Sequence, residues 1–175
     1  MAYSSTKKKS AGIVQISIGI LTVILVVLII AMMMIVSSIQ GTARIVNYAG
    51  LVRGKTQRIV KLEISGKQED DMIQEIESFI DGLRNGNKEL NLVRLDDSDF
   101  QAKMEELNEY FLMLEQEIMQ VRAYGADKTQ ILSKSEHFFE ICDEATGLAE
   151  VYSQRKASSL SVLEKYITAD IVVLI

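Results

Sequence analysis

Proline and tryptophan are absent from the 175 residues, and cysteine and histidine occur once each. Because proline is the strongest helix breaker, its absence permits long uninterrupted helices. A single cysteine excludes an intrachain disulfide and a cysteine-based zinc site, and a single histidine excludes a centre built from several histidines. The sequence therefore predicts no metal and no cofactor. The net charge of −5 lacks the basic surplus of a nucleic-acid-binding protein, so no nucleic-acid partner is expected.

Charged residues are missing altogether between Lys9 and Arg44, and all 24 acidic residues follow Arg44. The densest apolar part, Ile13 to Val36, would extend roughly 36 Å as a helix, which is enough to cross a hydrocarbon core of about 30 Å. It exceeds the apolar region of a cleaved secretory signal, about 7–15 residues, and no A-x-A site follows it. A buried core helix would need more apolar protein around it than the remainder supplies. We predict an uncleaved transmembrane helix over residues 12–38.

Basic residues on the two sides of this span bear on its orientation. Lys7–Lys9 form a compact cluster that favours a cytoplasmic tail over residues 1–11 under the positive-inside rule. A similar number of basic residues follow the span closely, namely Arg44, Arg53, Lys55 and Arg58. The compact cluster decides the prediction: the chain lies in the cell inner membrane, as a single-pass or double-pass protein, with its helical domain outside the cytoplasm.

Beyond the span the apolar residues recur at helical spacing. Four helices are predicted: Ile39 to about Ser65, about Glu69 to Arg84, an N-cap at Ser98 or Asp99 to near Gly125, and about Thr129 past Tyr166. The third carries an unbroken 4-3 pattern, namely Phe100, Met104, Leu107, Phe111, Leu114, Ile118 and Val121. Amphipathic helices of this kind pack with 3-4 ridge geometry. The predicted fold class is all-α, with an N-terminal transmembrane helix continuing into an antiparallel four-helix bundle over residues 39–166.

Residues 167–175 are apolar apart from Thr168 and Asp170, and they resemble the start of a second transmembrane helix. About 20 apolar residues are needed to span a bilayer. The preferred interpretation is the N-terminal portion of a longer two-span protein, and the alternative is a single-span protein with an apolar tail. Asp170 counts against a second span, because a carboxylate at the middle of a membrane is costly.

The first helix of the bundle carries an unusual seam at 3-4 spacing, made of Ile39, Ala43, Val46, Gly50, Arg53, Gln57, Val60 and Ile64. A second apolar stripe lies about 100° round the helix and contains Ile45, Val52, Ile59 and Leu62. Two adjacent faces indicate two partners, the helix's own bundle and a second copy of the chain. Gly50 and Gly54 would let another backbone approach closely. A two-fold contact would bring Arg53 near its own copy, which favours a bound anion between the two guanidiniums. The alternative is an arginine that only sets register or reaches the rim.

The stretch from Arg44 to Lys61 resembles the first-helix motif of a bacterial sensor family. That family comprises nitrate/nitrite sensor kinases and the N-terminal domain of type IV pilus methyl-accepting chemotaxis transducers. The shared pattern N-x-A-G-x-x-R-x-x-x-x-R is filled by Asn47, Ala49, Gly50, Arg53 and Arg58, and Gln57 and Lys61 also match the transducer version. The resemblance implies a dimeric extracytoplasmic four-helix sensor domain whose ligand-binding residues are Asn47, Gly50, Arg53, Gln57 and Arg58. Gly54 departs from the pattern, where a larger apolar residue is usual, so the resemblance implies a sensor without naming nitrate as its ligand.

Taken together, these features predict a non-enzymatic input region of a membrane-bound signalling receptor. Its partners would be a small anion or polar ligand, the membrane, a second copy of the chain, and a cytoplasmic signalling module outside these residues. The alternative is a membrane-anchored coiled-coil structural or assembly protein with no ligand. A metal-binding bundle using His137, Glu140 and Glu144 is a weak third candidate, because di-iron bundles need four carboxylates and two histidines.

Overall fold

A computed structural model describes residues 2–125 and 128–175, with four α-helices and no strand within that part of the chain. The helices are α1 (Ala2–Ile64), α2 (Asp70–Asn85), α3 (Ser98–Tyr124) and α4 (Lys128–Leu174). The predicted all-α class is confirmed. The predicted bundle portion of the first helix is one continuous helix with the apolar N-terminal segment, as the absence of proline allows.

The contacts divide the chain into two compact units. Unit 1 contains residues 1–39 and 155–175, and unit 2 contains residues 40–154. Residues 155–166, which the sequence prediction placed in the helical domain, therefore share unit 1 with the apolar N-terminal segment. Within the described residues, one helix, Gly12–Ile64, is long and apolar enough to cross a membrane, by its length and composition.

In unit 2, side-chain contacts between neighbouring helices define an antiparallel bundle. Helix α2 lies against α1, where the rings of Tyr48 and Phe79 meet edge to face at 4.9 Å. Helix α4 lies against α3, where Phe111 and Phe138 are 5.7 Å apart. Ion pairs join the other two sets of neighbouring helices. Arg84–Glu105 connects α2 with α3, and Arg53–Asp143 connects α1 with α4. Each helix thus contacts the next along the chain, and α4 closes the bundle on α1.

The core of unit 2 follows the predicted apolar spacing in α3 completely. Every member of that 4-3 pattern is buried, from Phe100 to Val121. In α2 the predicted residues Ile73, Ile76, Ile80 and Leu83 are buried together with Phe79. A strictly periodic stripe on an otherwise polar helix leaves only one face that can enter the core, which is why these two helices are predictable.

Helix α1 turns a different face to the core from the seam centred on Arg53. Its buried residues, again at 4-3 spacing, are Thr42, Ile45, Ala49, Val52, Thr56, Ile59 and Glu63, joined by Val60. Three residues of the second predicted stripe, Ile45, Val52 and Ile59, thus face the core, and the fourth, Leu62, is half-buried. The first seam stays half-buried or exposed except at Val60. The buried stripe also contains the polar residues Thr42, Thr56 and Glu63, which a hydrophobic pattern passes over.

The helix ends explain where the chain turns. Gly66, two residues after the end of α1, and Gly125, directly after α3, adopt positive φ of 77° and 63°, a conformation that glycine adopts without steric cost. The N-cap of α3 is Asp97 and not Ser98 or Asp99, since its carboxylate accepts a hydrogen bond from the Phe100 amide at 3.0 Å. In the turn between α2 and α3, Val93 approaches α1 so closely that a Cβ on Gly41 would lie 2.7 Å from its Cγ2.

Thr56 provides a test of the core assignment. Its side chain is buried, and its hydroxyl oxygen has no hydrogen-bond partner within the described residues. Thr56→Val exchanges this hydroxyl for a methyl group of similar shape, so it should raise the free energy of unfolding by about 1 kcal/mol. Thr56→Ser keeps the hydroxyl and removes the methyl group, so it should lower stability. Urea unfolding of the full chain in detergent micelles measures both, and a destabilised Thr56→Val would show that the hydroxyl has a partner.

Candidate functional site

The five predicted ligand-binding residues lie on α1 within unit 2, over a helical rise of about 16 Å. Asn47 and Arg58 are exposed, and Gly50 and Gln57 are half-buried. At 100° per residue, Asn47 and Arg58 project within about 20° of each other, whereas Arg53 projects about 120° away. The structure thus places Arg53 at the edge of the exposed face, beside α4, and not at its centre.

Arg53 already has a counter-charge in the same chain. Its Nη1 forms an ion pair with Oδ1 of Asp143 on α4, and its guanidinium carbon lies 4.8 Å from the centroid of the Phe139 ring. The Arg53 side chain is 37% exposed and that of Asp143 is 50% exposed. An exposed pair of this kind contributes about 0–1 kcal/mol. Asp143 therefore satisfies the guanidinium without a ligand, but weakly enough for an incoming anion to compete.

Sequence reasoning missed Asp143. The sequence prediction placed the seam of α1 against the same seam of a second chain. In the structure, the acidic partner of Arg53 belongs to α4 of the same chain. Residues 40–64 contain five basic and one acidic residue, and residues 130–154 contain five acidic and one basic residue. This opposite charge on two helices could have indicated that α1 and α4 are neighbours.

Gly50 and Gly54 face open space. A Cβ built on either residue would have no described atom within 4 Å, so nothing within the described chain requires glycine at these positions. Glycine inside a helix costs about 1 kcal/mol relative to alanine. Two such residues one turn apart leave a shallow, side-chain-free strip on α1 that another backbone can approach closely.

Positive charge borders this strip. Arg58 and Lys61 are exposed and have no ion-pair partner within the described residues. Together with Arg53 they line the same half of α1 over about two and a half turns. A second positively charged helix placed here is repelled unless negative charge accompanies it.

A groove near this face has the wrong chemistry for an anion. It has a volume of about 320 Å³ and lies between α1 and α4 within unit 2. Its lining residues are Thr42, Ala43, Val46, Glu150, Ser153 and Gln154. Glu150 is the one charged residue among them, and its carboxylate repels an anion. The basic face of α1 is therefore the better candidate for an anion site.

A buried ion pair closes one end of unit 2. Arg122 Nε donates to Glu63 Oε2 at 2.9 Å, its Nη2 donates to Glu63 Oε1, and its Nη1 donates to Asp70 at 2.6 Å. The Glu63 side chain is only 2% exposed. Hydrogen bonding to Glu63 raises the pKa of Arg122 further above its usual value, despite partial burial. The cluster joins α1 and α3 to the first turn of α2, which makes it structural.

Three further side chains that could react or bind a metal, Cys142, His137 and Glu144, lie in contacts that stabilise the fold. Burial raises the pKa of the Cys142 thiol to about 12, so the thiol stays protonated at neutral pH. His137 contacts Glu140 at 3.1 Å, whereas Glu144 pairs with Lys103 of α3 at 2.6 Å. Within residues 2–125 and 128–175, no three His, Cys, Asp or Glu side chains are grouped to hold a metal ion.

Comparisons of the chain with protein-family models, with curated proteins and with solved structures found no match.

Proposed function

We propose that this chain is the ligand-sensing input region of a membrane-bound bacterial signal-transduction receptor. It binds a small anion or polar ligand where the first helices of two copies meet. The observation that carries the proposal is the open strip of Gly50 and Gly54, bordered by Arg53 and Arg58. The receptor is of the chemoreceptor, sensor-kinase or cyclic-dinucleotide type, and its helical domain lies outside the inner membrane. The input region has no enzymatic activity of its own, and a separate cytoplasmic module gives the output.

The strip supports a homodimer because a helix with two adjacent glycine positions can approach its two-fold copy closely. The same contact brings like charges together, which is unfavourable in the absence of a counter-ion. A planar oxyanion resolves the conflict, since guanidinium groups bind it through paired charge-assisted hydrogen bonds. Electrostatics of the face therefore favour a ligand that is negatively charged or strongly polar.

Asp143 supplies a route from ligand to signal. An anion that takes Arg53 from Asp143 removes the ion pair between α1 and α4. The packing of these two helices then shifts by a small piston or rotation step. A local change of charge that alters a two-state helix contact is an established means of transmitting a signal.

Ligand-dependent thermal unfolding of the full chain in detergent micelles tests the proposal. Nitrate, nitrite and acetate are the probes, and at least one should raise the unfolding temperature. A ligand present at about 100 times its dissociation constant stabilises a protein by about 2.7 kcal/mol. Arg53→Ala should abolish this response while the fold remains. Asp143→Asn should bind the same probe more tightly, because the competing carboxylate is gone.

Arg84→Ala is the matched control, since Arg84 also forms a partly exposed pair with a carboxylate, Glu105, but lies on α2. This variant should respond to the probes as the parent chain does. The proposal is wrong if none of the probes shifts unfolding, or if Arg53→Ala responds as strongly as the parent.

The second candidate is a membrane-anchored coiled-coil structural or assembly protein. It is favoured by the pairing of Arg53 with Asp143, because a satisfied guanidinium allows the glycine strip to serve association alone. A chain that dimerises in micelles without responding to any probe would support this candidate.

A further inference from the structure

In unit 1, α4 runs antiparallel to the apolar part of α1, because α1 leaves the unit at residue 39 and α4 enters it at residue 155. The two helices share a groove of about 310 Å³. It is lined by Leu21, Ile24 and Leu28 of α1 and by Tyr166, Ala169, Asp170 and Val173 of α4. In an antiparallel pair this register places Tyr166 beside Leu28 and Val173 beside Leu21.

This register is inconsistent with the two membrane boundaries that the sequence predicts. The predicted span of α1 ends at residue 38, and the predicted apolar segment of α4 begins at residue 167. Two helices that cross one boundary side by side must cross it at the same level. Tyr166 lies beside Leu28, which is ten residues before residue 38, so the two predicted levels differ by about 15 Å. One of the two boundaries must therefore move.

Charged side chains decide which boundary is kept. Glu164 and Lys165 directly precede Tyr166, and both are exposed. Neither has an ion-pair partner within the described residues. A boundary at residue 38 would place both about 13 Å inside the hydrocarbon. A charge deep in a bilayer costs several times what one isoleucine or valine gains there. Residues 29–38 contain only four isoleucine or valine residues, too few to offset two charges.

The distance to the other end of the span agrees with the lower level. Lys9 is the last charged residue before the apolar run, and Leu28 follows 19 residues later on the same continuous helix. Nineteen residues rise about 29 Å, which matches a hydrocarbon core of about 30 Å. Measured to residue 38, the helix rises about 44 Å, which is longer than the core requires. The level of Lys9 and the level of Lys165 are thus one hydrocarbon thickness apart.

We propose that the hydrocarbon boundary at which α4 enters the membrane lies at Lys165 and Tyr166, beside Leu28 of α1. The ammonium of Lys165 and the ring of Tyr166 then contact phospholipid headgroups, as these residue types do where helices cross a membrane interface. Thr168 lies just inside the boundary, where its hydroxyl donates to the Glu164 carbonyl at 2.8 Å and needs no water. The proposal rests on the membrane location in the proposed function, but not on its ligand or its dimer.

The depth of single tryptophans tests this position, since the chain contains no tryptophan of its own. Ile20→Trp, Tyr166→Trp and Met33→Trp, all at exposed positions, are reconstituted in phosphatidylcholine vesicles with bromine atoms at known acyl-chain depths. Fluorescence quenching should place the first within about 5 Å of the bilayer centre and the second about 14 Å from it. The third should lie outside the hydrocarbon core.

Removal of the two charges tests the cause. In a chain that carries Glu164→Leu and Lys165→Leu, Tyr166→Trp should move towards the bilayer centre by about one helical turn, 5 Å. Glu140→Leu is the matched control, because Glu140 is an exposed carboxylate of α4 within unit 2. It should leave the depth of Tyr166→Trp unchanged. Circular dichroism should show the same helix content in every variant.

Three outcomes would overturn the proposal. Tyr166→Trp lying deeper than Ile20→Trp is the order expected if the span extends to residue 38. An unchanged depth after removal of both charges would show that they do not set the boundary. Both of these results leave the proposed function to its own ligand test. Absence of quenching at all three positions would exclude unit 1 from the membrane, and with it the membrane-bound receptor of the proposed function.

Discussion

Glu63→Ala is expected to lower the free energy of unfolding of unit 2 by about 3 kcal/mol. The substitution leaves the Arg122 guanidinium, whose side chain is 13% exposed, without its buried partner, and the loss of one member of a buried pair typically costs 3–5 kcal/mol. The lower end applies because Arg122 keeps Asp70, an exposed carboxylate. Urea unfolding of the full chain in micelles, followed by circular dichroism, measures the change.

Two further variants identify the cause of this loss. Glu63→Gln retains the shape and an acceptor oxygen, so it should cost less than Glu63→Ala. Glu75→Ala removes an exposed partner of Lys55 from α2 and should cost no more than about 1 kcal/mol. If Glu63→Ala and Glu75→Ala were equally mild, the cluster at Arg122 would have no special role in stability.

Phe138→Ala is expected to destabilise unit 2 by about 3–5 kcal/mol. Phe138 is 1% exposed and packs against Phe111 in the middle of the α3–α4 contact. Removal of a buried phenyl ring loses its transfer free energy and leaves a cavity that close-packed neighbours fill only in part. The same urea unfolding measures the effect.

The adjacent Phe139 gives the comparison. Its ring is half-buried beneath the Arg53 guanidinium, outside the core. Phe139→Ala should therefore cost about 1 kcal/mol, the usual size of an exposed cation–π contact. Equal losses for the two substitutions would mean that the register of α4 differs from the one described here.

The helices of the bundle could be predicted from sequence because their signals are local. The stripe from Phe100 to Val121 has one period and one apolar face, so neither its helix nor its buried side was ambiguous. Glycines at positive φ ended α1 and α3 as expected. The cap of α3 was misplaced by one or two residues, since Asp97, Ser98 and Asp99 are all good N-cap residues and only the backbone geometry separates them.

The orientation of α1 could not be derived in the same way. Its core stripe includes Thr56 and Glu63, two polar residues that a hydrophobic pattern excludes. Glu63 is tolerated in the core only because Arg122, 59 positions away, supplies both hydrogen bonds. Long-range pairs of this kind leave no periodic trace in the sequence.

The candidate site could be predicted only in part, because it too depends on a pair of residues that are distant in the sequence. Residues 47–58 form one continuous helical segment, so their common location on α1 follows from spacing alone. The partner of Arg53 does not follow from spacing, because Asp143 lies 90 positions later on a different helix. Binding of an anion at the open glycine strip is a prediction that Arg53→Ala tests, and binding of a second copy is a prediction that dimerisation in micelles tests.

The chain crosses from unit 2 to unit 1 only twice, at residues 39–40 and 154–155, and both crossings lie inside the continuous helices α1 and α4. Helices α2 and α3 begin and end within unit 2 and have no covalent route of their own to unit 1. Of the ion pairs that tie the bundle together, Arg53–Asp143 directly links the two helices that make those crossings. Substitutions on α2 or α3 should thus alter the stability of unit 2, whereas a change of charge at Arg53 should alter the contact between the two helices that continue from unit 2 into unit 1.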